Sequence, residues 1–99
     1  MLSIRKSKIH GRGLFTDELI PQGTRIILVG DLNRFRQGKA WITKLGKMVN
    51  HNRKGNCILK REEDSYVLYA GRHINGGEEL TSDYSILKKP FKSDVTGYR

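Results

Sequence analysis

No apolar run among the 99 residues approaches the length an α-helix needs to cross a bilayer. The N-terminus also lacks the apolar region of a secretory signal. Cysteine is almost missing: Cys57 is the single one, which excludes an internal disulfide and a zinc cluster built mainly from thiolates. An intracellular, reducing location is the expectation. Acidic residues are few, 10 against 19 Lys and Arg, a formal net charge of +9. A balance of that size invites nucleic acid, an acidic protein surface or an anionic membrane face. The cations do not form one block. They recur at Arg5–Lys8, Arg34–Lys39, Arg53–Lys54, Lys60–Arg61 and Lys88–Lys92, which suits a solvated surface as well as a binding patch.

Helical periodicity is the other scarce quantity. What is present is a series of short apolar stretches punctuated by 11 glycines, the pattern of a mainly β domain of modest core. Leu2–Arg5 is expected as a short edge strand, Ser7–Gly13 as a turn, and Leu14-Phe15 as the return to apolar character. Arg25–Val29 is the best strand, ended by Gly30 and Asp31. Phe35, Ala40, Trp41 and Leu45 could line one side of a short helix, but Gly38 and Gly46 interrupt it, and Leu32–Lys47 reads as irregular with one or two helical turns. Cys57–Lys60 and Tyr66–Ala70 read as a hairpin around an acidic turn, Glu62–Ser65, and Leu80–Tyr84 as a last strand. One small device occurs twice. Leu19–Ile26 (L-I-P-Q-G-T-R-I) and His73–Leu80 (H-I-N-G-G-E-E-L) each place an Ile three residues before a Gly and an apolar residue three after it: an anchor, a glycine-closed turn, then a strand.

Three stretches carry the chemistry. Met48–Asn56 (M-V-N-H-N-R-K-G-N) runs from an apolar approach into Asn50-His51 and then a polar turn. Its Asn offers a donor and an acceptor, and its neutral His has one ring nitrogen of each kind. Ile9–Phe15 (I-H-G-R-G-L-F) sets two glycines two apart, where the backbone can take positive φ or approach another group closely. Ala70–Tyr84 reads A-G-R-H-I-N-G-G-E-E-L-T-S-D-Y. Taken in chain order, Ile9–Phe15, Asn50–Asn56 and Ala70–Tyr84 resemble the SET domain of protein-lysine methyltransferases: its N-terminal G-x-G segment, its N-H-S-C-x-P-N, and its A-x-R-x-I-x-x-G-E-E-L-T-x-D-Y. The match extends over nearly the whole chain, and the third motif is the most specific.

Two departures are self-consistent. Arg53 stands where many members carry a zinc-binding Cys, and Ser85–Arg99 contains none of the cysteines that would complete that site. The resemblance is therefore to minimal, stand-alone members, with residues 1–99 as one domain of SET-type β-clip fold: short strands in several small sheets with little helix. Its tail 85–99 would close the site through Phe91 or Tyr98.

The resemblance implies S-adenosyl-L-methionine as methyl donor and a protein lysine as acceptor, histones among the candidates. It implies that Gly11, Arg12 and Gly13 bring main chain to the donor's amino-acid end, and that Asn50 and His51 hold the donor. Tyr84 would orient the amine. Ser82, where members usually carry Phe or Tyr, would leave the lysine channel loose enough for more than one methylation. Alignment and exclusion of water are the main needs of such a displacement. A lysine of ordinary pKa about 10.4 must be neutral to react, which an apolar channel beside a positive sulfonium favours. His10 and His73 read as turn and surface residues and Cys57 as a small packed residue. Trp41 reads as core. Glu78 and Glu79, on opposite faces of a strand, read as turn-exit and structural residues. Two alternatives stay open: a catalytically weak SET-like binding module, and a small basic β domain contacting nucleic acid. A homodimer would cover apolar surface of so small a core. No membrane partner is expected.

Overall fold

In a computed structural model the structure describes residues 1–87. The Lys88–Lys92 cluster and the closing role expected of Phe91 or Tyr98 lie outside the described residues.

Alternating burial sets the strands. In β5 (Cys57–Glu62) Cys57 and Leu59 point inward while Ile58 and Lys60 face out, the two-residue period of a half-covered sheet. It pairs antiparallel with β6 (Ser65–Ala70), from Cys57 opposite Ala70 to Glu62 opposite Ser65. The hairpin is thus longer than expected and its turn tighter: Glu62 and Ser65 pair, leaving Glu63-Asp64 to reverse the chain. On the other side of β6 lies β3 (Arg25–Asp31). Gly30 and Asp31 do not end this strand. They pair with Tyr66 and Ser65, carrying β3 to the end of the hairpin.

The Asp31 side chain then accepts the Asn33 N–H at 2.9 Å and caps a five-residue helix, α1 (Leu32–Arg36). The apolar face expected across the following segment is not formed. Phe35 and Leu45 are 46% and 38% exposed and Ala40 is exposed, whereas Trp41 and Ile42 are buried, with Ile42 bridging Gly30. Trp41 is core, packed edge-on against Tyr66.

The remaining strands are β1 (Leu2–Lys6), β2 (Arg12–Thr16), β4 (Asn50–His51) and β7 (Glu79–Ser82). All seven strands form one sheet, six along the path β1-β2-β7-β5-β6-β3 and β4 branching onto β7. Leu14, Val29, Val49, Leu68, Leu80 and Tyr84 form the centre of the core.

The repeated device folds as a reciprocal pair. Ile20 and Ile74 exchange backbone hydrogen bonds at 2.8 and 2.9 Å, both side chains buried. Gly23, third residue of its turn, donates to the Ala70 carbonyl; Gly77 donates to the Thr16 carbonyl. Thr16 and Ala70 return the favour, donating to the Glu78 and Thr24 carbonyls. Each turn is closed on itself by a bond of 3.2 Å, Thr24 to Pro21 and Glu78 to Asn75. Both glycines take φ near +90°, at +88° and +91°, which side-chain-bearing residues rarely adopt.

Candidate functional site

The short strand β7 assembles the site. Its first residues pair antiparallel with β2, Leu80 opposite Leu14 and Glu79 opposite Phe15. Its last residues pair in parallel with β4, Thr81 with Asn50 and Ser82 with His51. The glycine segment leading into β2 and the Asn-His pair of β4 are therefore brought side by side. Tyr84 does not continue the strand. Asp83 accepts the Ser85 N–H at 2.9 Å and caps a 3-10 turn, Tyr84–Ile86, immediately past β7.

Tyr84 is fully buried and its hydroxyl donates to the Val49 carbonyl. Its backbone N–H donates to His51 Nδ1 at 3.0 Å, and the two rings lie 5.6 Å apart. A ring nitrogen that accepts carries no proton, so neutral His51 holds its proton on Nε2. The nearby Asp83 carboxylate, 3.9 Å from the same Nδ1, then has no proton to share there. The Ser85 N–H bond holds that carboxyl below its ordinary value, with Arg53 adding a smaller pull.

Asn50, 1% exposed, turns its amide nitrogen toward the loop 7–13. Ser7 Oγ, the His10 and Arg12 carbonyls and Glu79 Oε2 stand at 3.0, 3.1, 3.2 and 2.7 Å. Arg12 itself is exposed. Gly11 has φ +49° and open space where a Cβ would stand, while a Cβ on Gly13 would strike Glu79. The first glycine thus offers bare backbone outward and the second allows close packing inward.

Ser82, at the end of β7 opposite His51 and Cys57, is fully buried, its hydroxyl without a hydrogen-bond partner among the described residues. With Arg53, Cys57, Leu59 and Asp83 it lines a recess of about 230 Å³. Burial pushes the Cys57 thiol up to about 12, so it stays protonated and inert at neutral pH. Neither His10 nor His73 belongs to this cluster by its side chain; both are exposed. Glu78 turns away to Arg72 at 2.9 Å. Glu79 faces the site, a placement that sequence reasoning did not find because its partners Ser7 and Asn50 are 72 and 29 residues distant. Among the described residues no group of three or more His, Cys, Asp or Glu could hold a metal ion, and no helix is long and apolar enough to cross a membrane.

The SET domain family model matches residues 30–85, more than half of the chain. The chain belongs to the SET domain family. It is 42% identical over 50 residues to N-lysine methyltransferase KMT5A-A of Xenopus laevis, an alignment covering 46% of this chain and 15% of that protein. The same identity and length hold for histone-lysine N-methyltransferase Set8 of Drosophila melanogaster, over 7% of that protein. This chain thus spans a small part of the curated relatives it matches. A crystal structure of a proposed histone methyltransferase from Plasmodium falciparum superposes with a TM-score of 0.67 at 20% identity, covering 86% of this chain and 97% of that one. The fold is shared.

Proposed function

We propose that this protein transfers methyl groups from S-adenosyl-L-methionine to a lysine side chain of a protein. The observation that carries the proposal is the convergence on β7 of the glycine loop, the Asn50-His51 pair and buried Tyr84. The N-lysine and histone-lysine methyltransferase names of the relatives support the same acceptor class.

The residues present fit the donor. Gly11 presents main chain with open space around it, and exposed Lys8 and Arg12 supply positive charge for a carboxylate. Asn50 and His51 would hold the donor from the β4 side. When bound, S-adenosyl-L-methionine supplies an electrophilic methyl group. Tyr84 commits its phenolic proton to the Val49 carbonyl, so its oxygen serves the site as an acceptor, suited to a lysine amine or a positively polarised methyl. Burial of Tyr84 and Ser82 keeps water out and favours a neutral amine. The unpartnered Ser82 hydroxyl and the recess beside it leave room at the acceptor end.

Calorimetric titration with S-adenosyl-L-methionine and with its demethylated product tests the donor. Saturable binding of either is expected, and binding of neither ligand sinks the reading. Tyr84→Phe is then expected to bind the donor as the wild type does. Its methyl transfer to a lysine-peptide library, read by mass spectrometry, should fall by about 100-fold or more, the scale of losing one polar group at the reacting centre.

A further inference from the structure

Glu79 occupies a position that neither the fold nor the methyl-transfer chemistry above explains. In β7 it alternates with core residue Leu80 and meets the loop 7–13 on the opposite face. Both of its carboxylate oxygens accept from the Ser7 hydroxyl, at 2.8 and 2.9 Å, and Oε2 also accepts from Asn50 Nδ2 at 2.7 Å. Ser7 Oγ in turn accepts the Ile9 and His10 N–H groups at 2.9 and 3.3 Å. One carboxylate thereby reaches the backbone of the loop through a single hydroxyl.

The amide nitrogen of Asn50 faces four acceptors, and only the Glu79 oxygen is charged, so that bond is the strongest of the set. Its presence fixes the amide's sense. Rotated by half a turn, Asn50 would set its carbonyl oxygen against a carboxylate and two backbone carbonyls. Space enforces the same arrangement. A Cβ at Gly13 would lie 2.2 Å from Glu79 Oε2 and 3.2 Å from Asn50 Nδ2, so the second glycine is the opening through which the carboxylate meets the amide.

We propose that Glu79 is a positioning residue for the donor side of the site. Its carboxylate fixes the orientation of Asn50 and, through Ser7, the shape of the loop whose outward backbone would receive the donor. The inference rests on the methyltransferase reading and adds to it a residue that touches neither substrate.

The test compares Glu79→Ala, Glu79→Gln and Ser7→Ala with the wild type, without donor and with it. In the donor-free protein, hydrogen exchange of the Ile9 and His10 amides is expected to quicken in Glu79→Ala while the amides of the β5–β6 hairpin keep their rates. Affinity for the donor and its demethylated product should fall by about tenfold or more, the scale of one charge-assisted hydrogen bond. KM for the donor should rise by a similar factor with KM for the peptide unchanged. Glu79→Gln keeps one acceptor for Asn50 and should recover part of the loss. Unchanged loop exchange together with wild-type donor affinity in Glu79→Ala overturns the proposal. So does quickened exchange spread evenly over loop and hairpin, which is general destabilisation. Should Glu79→Ala fail to fold, Glu79→Gln and Ser7→Ala carry the same comparison. A wild type that binds neither ligand overturns the methyltransferase reading itself; binding by the wild type with indistinguishable variants overturns only the role of Glu79.

Discussion

Ser82 holds a hydroxyl that is buried and unmatched among the described residues, beside a recess of about 230 Å³. A buried polar group without a partner costs stability, so its retention suits a place that something else fills in use. The wild type is expected to add more than one methyl to its target lysine. Ser82→Tyr fills the recess with a ring and should halt the product ladder at the first methyl, read by intact mass of a peptide product. Its expected cost in urea denaturation is about 1–3 kcal/mol of overpacking. Cys57, lining the same recess, gives a pH prediction. Burial is the main cause of its raised value, about 12 against an ordinary 9.0. The folded state favours the neutral thiol, so the stability it contributes is complete below pH 9 and declines as pH rises toward 12. Cys57→Ala should flatten that part of the alkaline limb in a pH series of urea midpoints.

Turns and strands divide differently between what sequence discloses and what it withholds. The hairpin β5–β6 was legible because two strand-like stretches flank an acidic turn, and Tyr84, Asn50 and His51 were legible as members of motifs. The segment 32–47 was legible as irregular with one or two helical turns, but which of its residues are buried was not. Its apolar residues Phe35 and Leu45 are exposed, and the burial falls instead on Trp41 and Ile42, fixed by a bridge to Gly30 that no local period announces. Glu79 was legible as facing away from Glu78, but which face it takes and its role depended on partners contributed by other parts of the chain. The repeated Ile-to-Gly device was visible in sequence, its reciprocity was not. That reciprocity makes a paired prediction. Gly23→Ala and Gly77→Ala each force a side chain into φ near +90° at matching places, so each should cost about 1–2 kcal/mol. The two losses should agree within about 0.5 kcal/mol, and the double variant should sum them within the same margin unless the turns are coupled. Urea denaturation of the three variants decides it.

At the scale of the whole molecule, the strand path places β7 between β2, from near the start of the sequence, and β4 and β5, from its middle. The site inherits this long-range construction: residues 7–13, 50–51 and 79–84 meet only when the sheet is complete. The net charge of the chain is +9, and it will draw negatively charged partners more readily than basic ones at low salt. The reciprocal turns carry the last consequence. Residues 16–24 and 70–78 exchange backbone hydrogen bonds in both directions: Thr16, Ile20 and Gly23 donate to Glu78, Ile74 and Ala70, and Ala70, Ile74 and Gly77 donate to Thr24, Ile20 and Thr16. A chain cut at the exposed Gly38–Lys39 link would separate these partners onto two peptides, and β3 from β6 with them. Neither peptide alone should unfold cooperatively. Mixed in equal amounts they should reassemble, with a thermal midpoint that rises with concentration as for a heterodimer. In that sense the domain is two interdependent halves that happen to share one covalent thread.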